Sequence, residues 1–246
     1  MNGLIHSEMA KILTTRVAKW VVLAELCLIA LAESGAVASG TLSKAKLATP
    51  SGVRLLLEHG GLGAIMSLVL GILISAGEFR HGTIADTFLS VPRRTPVLVA
   101  KLWIGFLAGI LAGILSSATA LVTTLIWYSA KGVSFDLTLA AVIRSLIGIV
   151  LWHAMYAAIG VGVGALVRSQ AVAIVLAVIW IFVAETAVSQ LVVSLGRWLP
   201  ATAAKGLGNS SDSGLLPQYG AGLVLAGWVA LAAVAAIAAT KRRDIV

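Results

Sequence analysis

The sequence predicts an all-α integral membrane protein, a single transmembrane domain over residues 1–246 with six spanning helices. Two observations carry that prediction. Hydrophobic residues make up 59% of the 246 positions and charged residues only 11%, with a mean hydropathy of +1.02. A soluble domain of this length carries about 25% charge on average. The second observation is segmentation. Apolar runs near the ~20 residues that a membrane helix needs occur at residues 20–38, 61–76, 97–128, 140–166, 171–193 and 220–239.

Taken in order, the chain begins with Ile5, Met9, Ile12, Leu13 and Val17 at helical spacing. That spacing predicts an amphipathic surface helix over about residues 1–18, with no cleavable signal peptide. Cys27, the single cysteine, lies in the first run, where it has no disulfide partner and is expected to pack as a small apolar residue. The second run is short unless it extends back through residues 53–58, which the sequence permits. The third and fourth are long enough to tilt or to project beyond the lipid. Small residues recur four apart at Gly63, Ser67, Gly71 and Ser75, and again at Gly105, Gly109, Gly113 and Ser117. Such rows let helices approach closely; one is expected to pack within the chain and one at a subunit interface. Gly160, Gly162 and Gly164 read as close helix packing too. Residues 195–217, around Arg197, Trp198, Leu199 and Pro200, are too apolar for a free loop and too broken for a span. They predict short outer re-entrant helices buried against protein.

Orientation follows from the basic residues. With the N-terminus inside, eleven Lys and Arg fall on the inner side and six outside, with Arg144 within the fourth run. The positive-inside rule therefore places both termini in the cytosol of a multi-pass cell-membrane protein. Trp20, Trp103, Trp127, Tyr128 and Trp198 fall where an aromatic belt is expected. The net charge of +8 is spread over the ends of the apolar runs rather than gathered in one patch. This fits topology and anionic lipid headgroups, and no nucleic-acid partner is expected.

Enzyme motifs are not found. The sequence has no phosphate-cradling Gly-x-x-x-x-Gly-Lys-Ser/Thr loop and no His-Glu-x-x-His or Cys-x-x-Cys pair. No catalytic residue, metal site or cofactor is expected in the chain itself. Ionisable residues within spans are costly and mark functional or packing sites. Here they are Glu25 in the first span, Arg144 and His153 in the fourth, and Glu185 in the fifth; Glu33 is expected near the outer interface, in water. Glu185, Thr186, Ser189 and Gln190 read as a polar cluster that either lines a pathway or hydrogen-bonds between helices.

One polar segment, residues 78–94, interrupts the apolar pattern between the second and third runs. Residues 78–89 fit a short helix with Phe79, Ile84, Phe88 and Leu89 apolar and Glu78, Arg80, His81 and Asp86 charged; Pro92 stops it before Arg93 and Arg94. A connector normally needs only a few residues. An amphipathic insert is stable there only if its apolar face meets lipid or a protein.

Glu78, Arg80, Gly82, Thr83, Ile84, Thr87, Leu89, Ser90, Pro92 and Arg93 resemble the coupling segment of type-2 ABC exporter permeases, and the order of elements around them is similar over nearly the whole chain. The resemblance implies a type V exporter fold with 78–94 as a cytosolic coupling helix. It implies a partner permease, a second copy or a paralogue, and two separate ATP-binding subunits that hold ATP and magnesium. Glu78, Phe79, Arg80, His81, Gly82, Thr83, Ile84, Thr87, Leu89, Pro92 and Arg93 would couple to the ATPase, with Glu78 pairing with a basic group there or with Arg80. Spans two and five would line the path of a hydrophobic or amphipathic cargo, such as a drug, antibiotic, lipid or peptide. This points to Ser67, Leu70, Ile74, Trp180, Phe182 and Glu185. The short outer loops leave no room for a large extracellular domain. The alternatives are an ion- or proton-coupled secondary transporter using Glu25, His153 and Glu185, or a non-transporting immunity or scaffold protein.

Overall fold

A computed structural model of the chain describes residues 2–84, 87, 89, 91 and 93–242. Among them are helices and no strand. Helix α1, Asn2–Thr14, turns at Thr15 into α2, Arg16–Ala38, the first span. Two short helices follow, α3 at Lys44–Leu47 and α4 at Pro50–Glu58. The Ser43 and Thr49 hydroxyls accept from the Lys46 and Gly52 amides, and Pro50 occupies the first turn of α4. These are ordinary helix-start devices. A tighter 3₁₀ turn, His59–Gly63, carries α4 into α5, Ala64–His81. The second span is thus a continuous Pro50–His81 rod, and the backward extension that the sequence permits does occur. Glycine is required in that turn: a Cβ on Gly61 would overlap the Trp152 ring, and one on Gly63 the Glu25 side chain.

Helix α6, Arg94–Lys131, is the third span and α7, Leu139–Val167, the fourth. At 1.5 Å per residue α6 is roughly 57 Å long, well beyond the ~30 Å hydrocarbon layer. The fifth span comprises α8, Gln170–Ile179, a π turn at Trp180–Ala184, and α9, Glu185–Leu191. Short helices α10, Val193–Gly196, and α11, Pro200–Leu207, precede the sixth span, α12, Gln218–Arg242. Among the described residues six helical segments are long and apolar enough to cross a membrane.

The fourth span is the axis of the bundle. Helices α5, α6 and α12 pack around α7, α2 lies against α6, and α8 flanks α5 and α7. Apart from Gly63, the glycines of both small-residue rows face α7. A Cβ on Gly71 would strike the Ala157 carbonyl, one on Gly109 the His153 and Ala154 backbone, and one on Gly113 the Val150 backbone. Gly160 and Gly164 of α7 answer Gly71 against the Leu68 and Ile72 backbones of α5. Neither row is left for the subunit interface expected of one of them, because all eight residues are buried within the chain. Cys27 is exposed rather than packed. Tyr128 is buried, its hydroxyl donating to the Leu47 carbonyl at 2.5 Å, while Trp20, Trp103 and Trp198 are exposed.

The broken segment is packed against protein, as its composition predicts. Pro200, Ala203, Ala204, Gly206 and Leu207 of α11 are buried. The Asn209 amide donates to Ser145 Oγ at 2.9 Å and the Ser210 hydroxyl to Glu58 Oε2 at 2.5 Å. Gln218 donates to the carbonyls of Leu207, at 2.8 Å, and Arg144, at 2.9 Å. These bonds tie the segment to the ends of α4 and α7.

Candidate functional site

The polar residues at the start of the chain and between the second and third spans meet in an ion cluster. Lys101 Nζ lies 2.6 Å from Glu8 Oε2 and 3.0 Å from Glu78 Oε1; Lys11 Nζ lies 2.7 Å from Glu8 Oε1 and 2.5 Å from Glu78 Oε1. Glu8, Glu78 and Lys101 are 2%, 7% and 3% exposed, so three of the four charges depend on one another rather than on water. Lys101 also donates to the Ile74 carbonyl at 3.4 Å. Partial burial opposes the charge of Lys11, but its hydrogen bonds to Glu78 and Glu8 outweigh burial and raise its pKa. The cluster joins α1, the end of α5 and the start of α6.

Glu78 is therefore not a free carboxylate at a helix start, and it does not pair with Arg80. It sits in the last turn of α5, which continues to His81 and ends at Gly82 with φ +71°. Gly82 is the reason for the break, since a left-handed C-cap stops the helix that the apolar pattern alone would continue. A new turn starts beyond it, with Thr87 N donating to the Thr83 carbonyl at 3.2 Å and Val91 N to the Thr87 carbonyl at 3.0 Å. Ile84 is buried at 8%, while Arg80, His81, Gly82, Thr83 and Arg93 are exposed and Leu89 is 81% exposed. Arg80 reaches Gln170 at 3.4 Å, and the Arg168 guanidinium lies 5.3 Å from the centre of the Phe79 ring. Pro92, Asp86 and Phe88 lie outside the described residues. The segment is thus anchored by Glu78 and Ile84 and turns Leu89 and several basic side chains outward.

Among the described residues no heavy atom beyond its chain neighbours lies within 4 Å of a Cβ placed on Gly82, so its side-chain tolerance is set by backbone conformation. Gly82→Leu is expected to cost about 1–2 kcal/mol, the usual penalty of the left-handed region for an L residue. Gly82→Asn should cost less than that. Thermal unfolding of the two variants in mild detergent measures the difference.

A second polar group lies in the interior. Glu25 of α2 and His153 of α7 are both fully buried, with His153 Nε2 2.8 Å from Glu25 Oε1. The approach is at ion-pair distance but off the axis of a hydrogen bond. His153 Nδ1 donates to the Ile149 carbonyl at 2.8 Å, and the Ser116 hydroxyl donates to Glu25 Oε1. Glu33, expected in water, is instead buried and accepts from the Thr124 hydroxyl at 3.4 Å. Arg144 stands apart, exposed near the start of α7, where a long side chain can reach the interface.

The six candidate cargo residues do not form one surface. Ser67 and Leu70 are buried, at 0% and 4% exposure, Ile74 packs against Leu98 and Val161, and Phe182 points outward. Trp180 and Glu185 do line a common cavity, of about 440 Å³, between α5, α7, the fifth span and α12. Glu185 Oε2 accepts from the Ala201 amide of α11 at 2.7 Å. The expected cluster around it is not formed, because Thr186 and Gln190 face outward. The π turn explains this: its extra residue shifts the helix phase just before Glu185, leaving that carboxylate on the inner face.

Sequence reasoning missed Glu8 and counted Lys101 only for topology. The available signal was a lysine two turns inside an apolar helix, which needs a buried partner. Among the described residues no three His, Cys, Asp or Glu side chains gather as metal ligands. Fold and site together define a polytopic α-helical membrane protein with an ion-clamped polar segment between two spans. No known protein-family model matches the chain, and no curated protein is detectably similar to it.

Proposed function

We propose that the chain is the permease subunit of an ATP-binding cassette exporter, moving hydrophobic or amphipathic cargo outward across the cell membrane. Its termini and the 78–94 segment face the cytosol. A second permease pairs with it, and two separate ATP-binding subunits, holding ATP and magnesium, dock on the segment. The observation that supports this reading is the clamped segment itself, with Leu89 exposed beside basic residues while Glu78 is locked to Lys101 and Lys11. Force applied at an exposed edge of so short an element reaches α5, α6 and α1 together through those ion pairs. Export follows if that displacement rearranges the spans around cargo.

One observation favours a second reading. The fully buried Glu25–His153 pair is the kind of intramembrane group that carries protons in coupled carriers. Glu185 is held elsewhere, by α11, so the three residues proposed for that mechanism do not act as one site.

Proteoliposomes separate the two. Containing the chain and a P-loop ATPase co-isolated with it from its source cells, they are expected to transport an amphipathic fluorescent cargo when ATP and magnesium are supplied on the ATPase side. A pH gradient without ATP should drive none. Transport by the chain alone on a pH gradient, lost in His153→Ala, establishes the carrier reading instead.

A further inference from the structure

The cavity beside Glu185 has the composition of a ligand site. Its walls are apolar along most of their length, with Leu68, Ile159, Val163, Leu176 and Ala232 among them, and no basic side chain lines it. Its volume is within the 300–1,000 Å³ usual for small-molecule sites. Near one end the wall is polar and aromatic. Glu185, 2% exposed, leaves Oε1 without a hydrogen-bond partner, and the Trp180 indole lies beside that carboxylate. Trp228 lies 6.3 Å from Trp180 between ring centres, and its indole N–H is bound to the Trp198 carbonyl at 3.0 Å, which fixes the ring. Tyr156 lines the same cavity. A buried carboxylate without a counter-charge beside aromatic rings attracts a cation, and most strongly one too weakly hydrated to prefer water.

We propose that this cavity binds a single-chain cationic amphiphile, its ammonium group between Glu185 and the Trp180, Trp228 and Tyr156 rings and its chain along the apolar walls. The charge complementarity selects this occupant over a neutral acyl chain. The inference names a ligand class for the transport reading and rests on it only for the ligand's role as cargo. Binding needs neither ATP nor a partner, so the two ideas fail separately.

The test uses the full chain in phosphatidylcholine nanodiscs and a dodecyltrimethylammonium probe bearing a diazirine on its chain. Controls carry the same chain with an alcohol or a sulfate head. Mapping by mass spectrometry is expected to place the cationic label in the cavity, displaced by unlabelled dodecyltrimethylammonium. Glu185→Gln keeps an oxygen for the Ala201 amide, and should raise the competitor concentration for half displacement about tenfold or more. The alcohol probe should be indifferent to that change, while Ala235→Trp, at another wall position, should exclude both. Trp180→Leu gives an independent reading that spares the carboxylate, and should weaken the cationic probe alone. The proposal is overturned by equal labelling from cationic and alcohol probes with no effect of either head-end variant, by preference for the sulfate probe, or by no cavity label.

Discussion

Replacing Lys101 by methionine is expected to lower the stability of the folded chain by about 3–5 kcal/mol, the usual cost of stranding a buried charge, and to free α1 from the bundle. Methionine matches the stem of lysine but leaves Glu8 and Glu78, 2% and 7% exposed, with only Lys11 between them. Lys11 is 47% exposed in its side chain, so water already serves it, and Lys11→Met should cost about 1 kcal/mol or less. The ordering of the two lysines is the diagnostic. Adding Glu8→Gln to Lys101→Met should recover part of the loss, because one of the stranded charges is then removed. Thermal midpoints in mild detergent, with trypsin cleavage within α1 as the local readout, decide the matter. Equal small effects of both lysine variants would mean that the cluster does not hold α1.

Gly160→Leu is expected to cost about 3 kcal/mol, at the upper end of overpacking penalties, and to disrupt the contact between the second and fourth spans. A Cβ at Gly160 meets the Leu68 carbonyl, and one at Gly71 meets the Ala157 carbonyl from the opposite side. Both obstacles are backbone, which cannot rotate away, so the helices must separate. Gly77→Ala is the control on the same second span. Nothing lies within 4 Å of its Cβ, and helix propensity should make this change stabilising by about 0.5–1 kcal/mol. Opposite signs at Gly160 and Gly77 are the expected pattern in thermal unfolding.

The six spans were legible because membrane helices declare themselves by apolar length alone. The broken segment before the sixth span was legible for a related reason: its alternation of small, apolar and polar residues suits neither water nor lipid. Side-chain partnerships were much less so. Glu8 and Lys101 are 93 positions apart, and Glu25 and His153 join different helices; which ionisable groups meet depends on helix crossings that hydropathy does not record. Glu33 shows the same gap. Its position near a helix end suggested water, yet the neighbouring α6 covers it. The boundary at Gly82 was misplaced because a left-handed cap at a glycine looks, in sequence, like any glycine in a short helix. The phase of Glu185 was hidden for a comparable reason, since a π turn has no residue signature.

The account depends on the 78–94 segment being where an ATPase docks, and Leu89 tests this most directly. At 81% exposure its side chain contributes little to folding, so Leu89→Asp should leave the stability within about 0.5 kcal/mol of the parent. The measurement is stoichiometric co-isolation of the full chain with a P-loop ATPase from its source cells, together with ATP hydrolysis by the isolated complex. The account predicts that Leu89→Asp abolishes co-isolation and chain-dependent hydrolysis while the bundle stays folded. Full co-isolation and unchanged hydrolysis with Leu89→Asp would contradict it, leaving the segment as a linker at the membrane surface.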